Sequence, residues 1–223
     1  MASGSEAARN VSHLVLLDSN FASMPSVVGE GRRVINNIQK SSSLFTMKTL
    51  FTIIISVFCL IVATDYPFQT THVMLLEFCV IGIPSFALAL QPNTERIQGR
   101  FLPNLLAKAL PGAIIMVFVV LACYVYDTTI GTAGQFTTMA SLAATFTGLL
   151  ILFRLCKPFD VFRGILFTSM LVLCALAIAF VPFDIFEYVD LSLQNVLFII
   201  VLIQFSYPFY STLLRLFDKI KIN

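Results

Sequence analysis

The sequence predicts an all-α membrane protein, with six transmembrane helices preceded by a short α/β segment. Three observations carry this prediction. The 223 residues are 58% hydrophobic and only 12% charged, with a mean hydropathy of +0.90. That is too apolar for a soluble domain and too regular for disorder. Apolar runs long enough to cross a bilayer, about 20 residues each, recur at roughly 44–64, 72–91, 105–126, 136–153, 164–182 and 193–213. The basic residues segregate by loop. Of 14 Lys and Arg, 13 lie before the first run, between or just inside the second and third, between the fourth and fifth, or after the sixth. The other loops, around Asp65, Asp127 and Asp184/Glu187/Asp190, hold none. The positive-inside rule then puts both termini in the cytoplasm. The net charge of +2 needs no nucleic acid to explain it; the basic residues set topology and touch the lipid surface.

Residues 1–43 are polar and form the first domain, with the six-helix membrane domain at 44–223. No signal peptide is expected, because residues 1–13 lack a basic start and an apolar stretch. Ser5-Glu6-Ala7-Ala8-Arg9 reads as a helix start, His13 to Leu17 as a buried strand, and Asp18-Ser19-Asn20 as a turn. From Ser23 onward, Met24, Val27, Val28, Val34, Ile35 and Ile38 recur at helical spacing. This predicts one long helix entering the membrane as a mechanical rod.

The first span carries Lys48, and the second carries Glu77 just before Gly82-Ile83-Pro84. A charge in hydrocarbon costs about 2.5–3.5 kcal/mol on insertion scales, so such residues mark function by default. Pro84 removes a backbone donor, which frees the carbonyl of Val80, and Gly82 permits unwinding. A broken membrane helix beside a carboxylate is a recurrent way to hold a cation at the midplane. Hard cations take oxygen ligands. The candidates are Glu77, the carbonyls of Val80 and Ile81, Ser85, and Thr49, Thr52 and Ser56, which share one face of the first span. The hydroxyls can instead bond back to their own helix, the Gly82–Pro84 break can be a plain kink, and Lys48 can snorkel to the interface. Pro111-Gly112 in the third span and Tyr207-Pro208 in the sixth read as kinks, and Gln204, Ser206 and Tyr207 as interhelical polar contacts. The five cysteines have no CxxC spacing and read as packing residues. His13 and His72 are given no ligand role.

These residues together resemble the P-type cation-transporting ATPases. The resemblance is carried by Met1-Ala2-Ser3-Gly4-Ser5-Glu6-Ala7-Ala8-Arg9, Leu14-Val15-Leu16-Leu17-Asp18-Ser19-Asn20-Phe21 and Gly29-Glu30-Gly31-Arg32-Arg33-Val34-Ile35-Asn36-Asn37-Ile38. It continues into Gly82-Ile83-Pro84 and Gln91-Pro92-Asn93, where the family has its broken sixth helix and the following loop. The later spans match in number and hydropathy only. The resemblance implies that residues 1–43 are the end of a HAD-like phosphorylation domain with its stalk helix. It also implies that the six spans are the last six membrane helices of a pump.

The family's Asp-Lys-Thr-Gly-Thr and Gly-Asp-Gly-x-Asn-Asp motifs do not occur here. The chain is therefore expected to need an N-terminal pump half as partner, which would supply the phosphorylated aspartate, the ATP site and its Mg2+. It holds no cofactor itself and is not expected to hydrolyse ATP alone. In related pumps a basic residue at the position of Lys48 can replace a co-transported ion, so Lys48 is a candidate built-in counter-charge. Thr49, Thr52, Glu77, Val80 and Ile81 stand where animal calcium pumps carry more carboxylates and amides. With one carboxylate, a single divalent cation such as calcium is expected, in a bacterial plasma membrane. A stand-alone six-helix permease or channel, or a vestigial fragment that transports nothing, are the alternatives.

Overall fold

The computed structural model describes residues 1–97, 99–131 and 134–221. Its helices are α1 (Glu6–Val11), α2 (Met24–Val62), α3 (Met74–Leu90), α4 (Phe101–Ile130), α5 (Phe136–Leu155), α6 (Val161–Phe180) and α7 (Leu193–Lys221). Five of them, α2 and α4 to α7, are long and apolar enough to cross a membrane; α3 is shorter. The chain is an integral membrane protein.

Local sequence explains the ends. Ser5 caps α1 by accepting the Ala8 N–H at 3.3 Å. Pro25 stands in the first turn of α2, where a missing N–H costs nothing. The helix then runs unbroken for 39 residues and stops at Ala63, which adopts a left-handed φ of 54°. Asp160 caps α6 by accepting the Arg163 N–H at 2.7 Å. Pro111 and Pro208 lie inside α4 and α7 without ending either helix.

The strand expected at His13–Leu17 does not form, and no strand occurs among the described residues. Leu14 is 50% exposed and Leu17 81% exposed. A strand persists only when a neighbour completes its ladder. Here the Leu16 carbonyl accepts from the Ala2 N–H at 2.8 Å and, in a local turn, from the Ser19 N–H at 3.2 Å, and no second strand is present among the described residues. The segment therefore lacks the α/β character predicted for it.

Helix α4 is central and packs against α2, α5 and α7, while α2 also packs on α3. Its buried face includes Ala109, Ala113, Ile115, Met116, Val119 and Cys123. Where α5 meets α3, Gly148 allows contact that no other residue would. A Cβ there would lie 2.9 Å from Cγ1 of Val80 and 3.1 Å from Cδ1 of Leu76. All five cysteines are buried and free.

Both ends of α3 are tied down. At one end, the His72 carbonyl accepts hydrogen bonds from Tyr188 Oη at 2.9 Å and from Ser141 Oγ. At the other, Asn37 Nδ2 on α2 donates to the carbonyls of Ala89, at 3.0 Å, and Gln91. Asn36 Nδ2 reaches the Glu95 carbonyl at 2.8 Å and Gln39 Nε2 the Phe101 carbonyl at 3.2 Å. Three neighbouring polar residues of α2 thus hold the α3–α4 loop. Gln91 continues the network to Asp160 at 2.9 Å and Arg163 at 3.2 Å.

Two predictions follow from these contacts. Gly148→Ala forces Val80 or Leu76 aside and is expected to destabilise the bundle by about 1–3 kcal/mol, read by unfolding in mixed micelles. Asp160 is held below its ordinary carboxylate value of 3.8, first by the Arg163 backbone N–H, then by the Arg163 charge and the Gln91 amide. A depressed carboxylate stabilises the fold above its unfolded pKa, and the benefit fades as pH falls through the folded value. Wild type should therefore melt above Asp160→Asn at neutral pH, and the two should converge only below pH 3.8.

Candidate cation site

Glu77 opens a π-helical segment, Glu77–Gly82, inserted within α3. Such bulges frequently accompany functional sites. The Ile83 N–H reaches five residues back, to the Phe78 carbonyl. The next residue is Pro84, which has no N–H to offer Cys79 five back or Val80 four back. The break predicted from Gly82 and Pro84 therefore takes the form of a bulge and not an unwound loop. Gly82 is required by proximity, since a Cβ there would stand 3.1 Å from the Glu77 carbonyl oxygen.

The Glu77 carboxylate forms an ion pair with Nζ of Lys48 on α2. Their side chains are 31% and 37% exposed, so the pair is accessible and not sealed in the core. Lys48 turns toward the carboxylate and does not snorkel away. The two charges border a cavity of about 340 Å3, which Thr52, Tyr66, Gln69 and Thr70 also line. Burial pushes the Tyr66 phenol above its ordinary value, although the neighbouring Thr52 side chain acts the other way.

Not every candidate joins this cavity. Thr49 is exposed, and its hydroxyl donates to the Phe45 carbonyl at 3.0 Å, which is bonding back to its own helix. Ser56 does not line it. The side chains of Val80 and Ile81 are fully buried in the helix packing. Ser85, one turn past the bulge, is 1% exposed, and its Oγ has no hydrogen-bond partner. Tyr66, Gln69 and Thr70 were missed by the sequence reading. They sit in a loop, where periodicity gives no signal, and only Tyr66-Pro67 hinted at a fixed turn. Among the described residues, no three His, Cys, Asp or Glu converge as a metal cluster. One carboxylate plus hydroxyls and carbonyls is a weak-field oxygen set that suits a hard cation.

Over 126 residues the chain is 42% identical to the calcium-transporting ATPase CtpE of Mycolicibacterium smegmatis, covering 52% of this chain and 16% of that protein. Over 175 residues it is 31% identical to a probable cation-transporting ATPase, exp7, of Streptococcus pneumoniae, covering 74% of this chain and 22% of the relative. The chain belongs to the P-type cation-transporting ATPases. The calcium-transporting ATPase 1 of Lactococcus lactis agrees, at 30% identity over 152 residues, 62% of this chain and 17% of that protein. The chain spans about a fifth or less of the length of these P-type ATPases. No protein-family model matches it.

If Lys48 and Glu77 compensate one another, removing either leaves the other as an uncompensated charge. Each single change, Lys48→Met or Glu77→Gln, should therefore destabilise this P-type ATPase chain more than the double variant does. The expected coupling is about 0.5–3 kcal/mol in a double-mutant cycle.

Proposed function

We propose that this chain is the membrane part of an ATP-driven P-type cation pump and that its cation site lies between α2 and α3. The observation that supports this reading best is the Lys48–Glu77 pair beside the π-helical bulge. Glu77 is the anionic ligand. The carbonyls of Val80 and Ile81 and the hydroxyls of Ser85 and Thr52 are its neutral partners, with Thr49 the outlying member of the set. Gly82 and Pro84 supply the break. The cargo is a single divalent cation such as calcium, a reading favoured by the names of two of the relatives. Lys48 is the built-in counter-charge: it neutralises Glu77 when the site is empty and yields when a cation arrives. ATP and Mg2+ act on the N-terminal pump half, which would complete the machine. The α1–α2 region is the end of the HAD-like phosphorylation domain and its stalk. Residues 44–223 are the membrane domain, in a bacterial plasma membrane with both termini cytoplasmic.

Binding of calcium, magnesium and manganese to the purified chain in detergent tests this directly. Glu77→Gln should abolish binding of the cargo ion. Lys48→Met should tighten it by about tenfold or more, because a competing positive charge worth over 1.4 kcal/mol is gone. Calcium binding that Lys48→Met leaves unchanged would remove the counter-charge role. Absence of any Glu77-dependent divalent binding would overturn the placing of the site.

A further inference from the structure

Midway along α2, basic residues from four helices and a loop converge on one cavity of about 240 Å3. Lys40 comes from α2, Lys108 from α4, Arg154 from the end of α5, Lys157 from the following loop, and Arg215 from α7. Its floor is apolar, with Leu44, Met47 and Ile151. The volume lies below the roughly 300–1,000 Å3 of pockets that enclose drug-sized ligands, so it suits a headgroup better than a nucleotide.

We propose that this cavity binds the phosphate of an anionic phospholipid, held by Lys40, Arg154 and Arg215. Cations gathered around one cavity at a membrane edge favour an anionic ligand there. Lys40, four residues before the first apolar stretch, reflects this: burial, then the charges of Arg163 and Lys108, push its pKa down to about 8. The acids near it, Glu95 and Asp160, act the other way, but Asp160 is already engaged by Gln91 and Arg163. Lys157 leans over the Phe153 ring at 4.7 Å, closing one side.

A lipid is favoured over free phosphate by what lies beside the cavity on α7. Starting a residue from Tyr210, which lines the cavity, Phe209 and Phe205 border an apolar groove of about 440 Å3 shared with Phe118 of α4. Headgroup pocket and acyl-chain groove thus occupy successive levels of the same helix. In hydrocarbon such a groove takes a chain without desolvating any polar group.

Native mass spectrometry of the purified full chain, with phosphatidylglycerol or phosphatidylcholine added in detergent, tests the assignment. Wild type should retain phosphatidylglycerol over phosphatidylcholine by about tenfold or more. Arg154→Gln/Arg215→Gln should lose that preference with unchanged helical circular dichroism. Arg215→Lys and Arg32→Gln, the latter outside the cavity, should keep it. A wild type with no headgroup preference would overturn the proposal whatever the variants do. So would a double variant that retains phosphatidylglycerol normally. Millimolar inorganic phosphate that binds alone and displaces the lipid would show that free phosphate is the ligand and would overturn the lipid assignment.

Discussion

Charge in hydrocarbon persists only when opposite charge or water meets it, and Lys48 and Glu77 meet each other. The pairing fixes the rotation of two helices at once. It requires α2 to present the Lys48 face to α3, and it requires the start of the π-helical segment to stand opposite. The hydrogen bonds at either end of α3 serve that geometry. Ser141 and Tyr188 hold the His72 carbonyl, five residues before Glu77. Asn37 holds the carbonyls of Ala89 and Gln91 beyond the break. A helix anchored at both ends and under-wound between them keeps its carboxylate where the lysine can reach it.

The long α2 gives this arrangement a mechanical reading. At 1.5 Å per residue its 39 residues extend about 58 Å, with no proline after Pro25 to act as a hinge. Asn36, Asn37 and Gln39 grip the α3–α4 loop, and Lys48 and Thr52 face the cavity two to four turns later. Displacement of the rod shifts both the loop that anchors α3 and the charge that neutralises Glu77. The two cannot move independently without breaking these hydrogen bonds, of which the buried Asn37–Gln91 bond costs about 1–3 kcal/mol if a partner is left unsatisfied.

The helical bundle was legible because apolar length and loop charge are read one residue at a time. Lys48, Glu77 and Gly82-Ile83-Pro84 were legible for a related reason: each violates a local rule, and violations in a membrane are costly enough to signal use. What could not be read was contact. The sequence allowed Lys48 to snorkel or to pair, and only the packing of α2 on α3 decides. Thr49 and Thr52 looked equivalent by spacing, yet the first bonds back to Phe45 and the second meets Tyr66. The predicted strand at His13–Leu17 failed because a short apolar run reports a preference, and a strand also needs a neighbour that residue patterns cannot supply. The basic cavity escaped notice because its members are spread from Lys40 to Arg215 and gather only in three dimensions.

On the proposed reading, charge arithmetic constrains how the site works. The empty pair is neutral. A divalent ion added beside both Lys48 and Glu77 leaves two uncompensated positive charges, which no set of carbonyls and hydroxyls offsets in low dielectric. With Lys48 withdrawn, the ion and Glu77 leave one. The lysine therefore has to move as the cation enters, and its four-carbon stem with a compact ammonium group is suited to that. The cavity that it borders, lined also by Tyr66 and Gln69, is the space into which it can retreat. Arginine at this position would keep its charge but lose that freedom, since its planar fork favours a fixed bidentate grip on the carboxylate. The choice of lysine over arginine is thus itself an argument for a counter-charge that must release its partner.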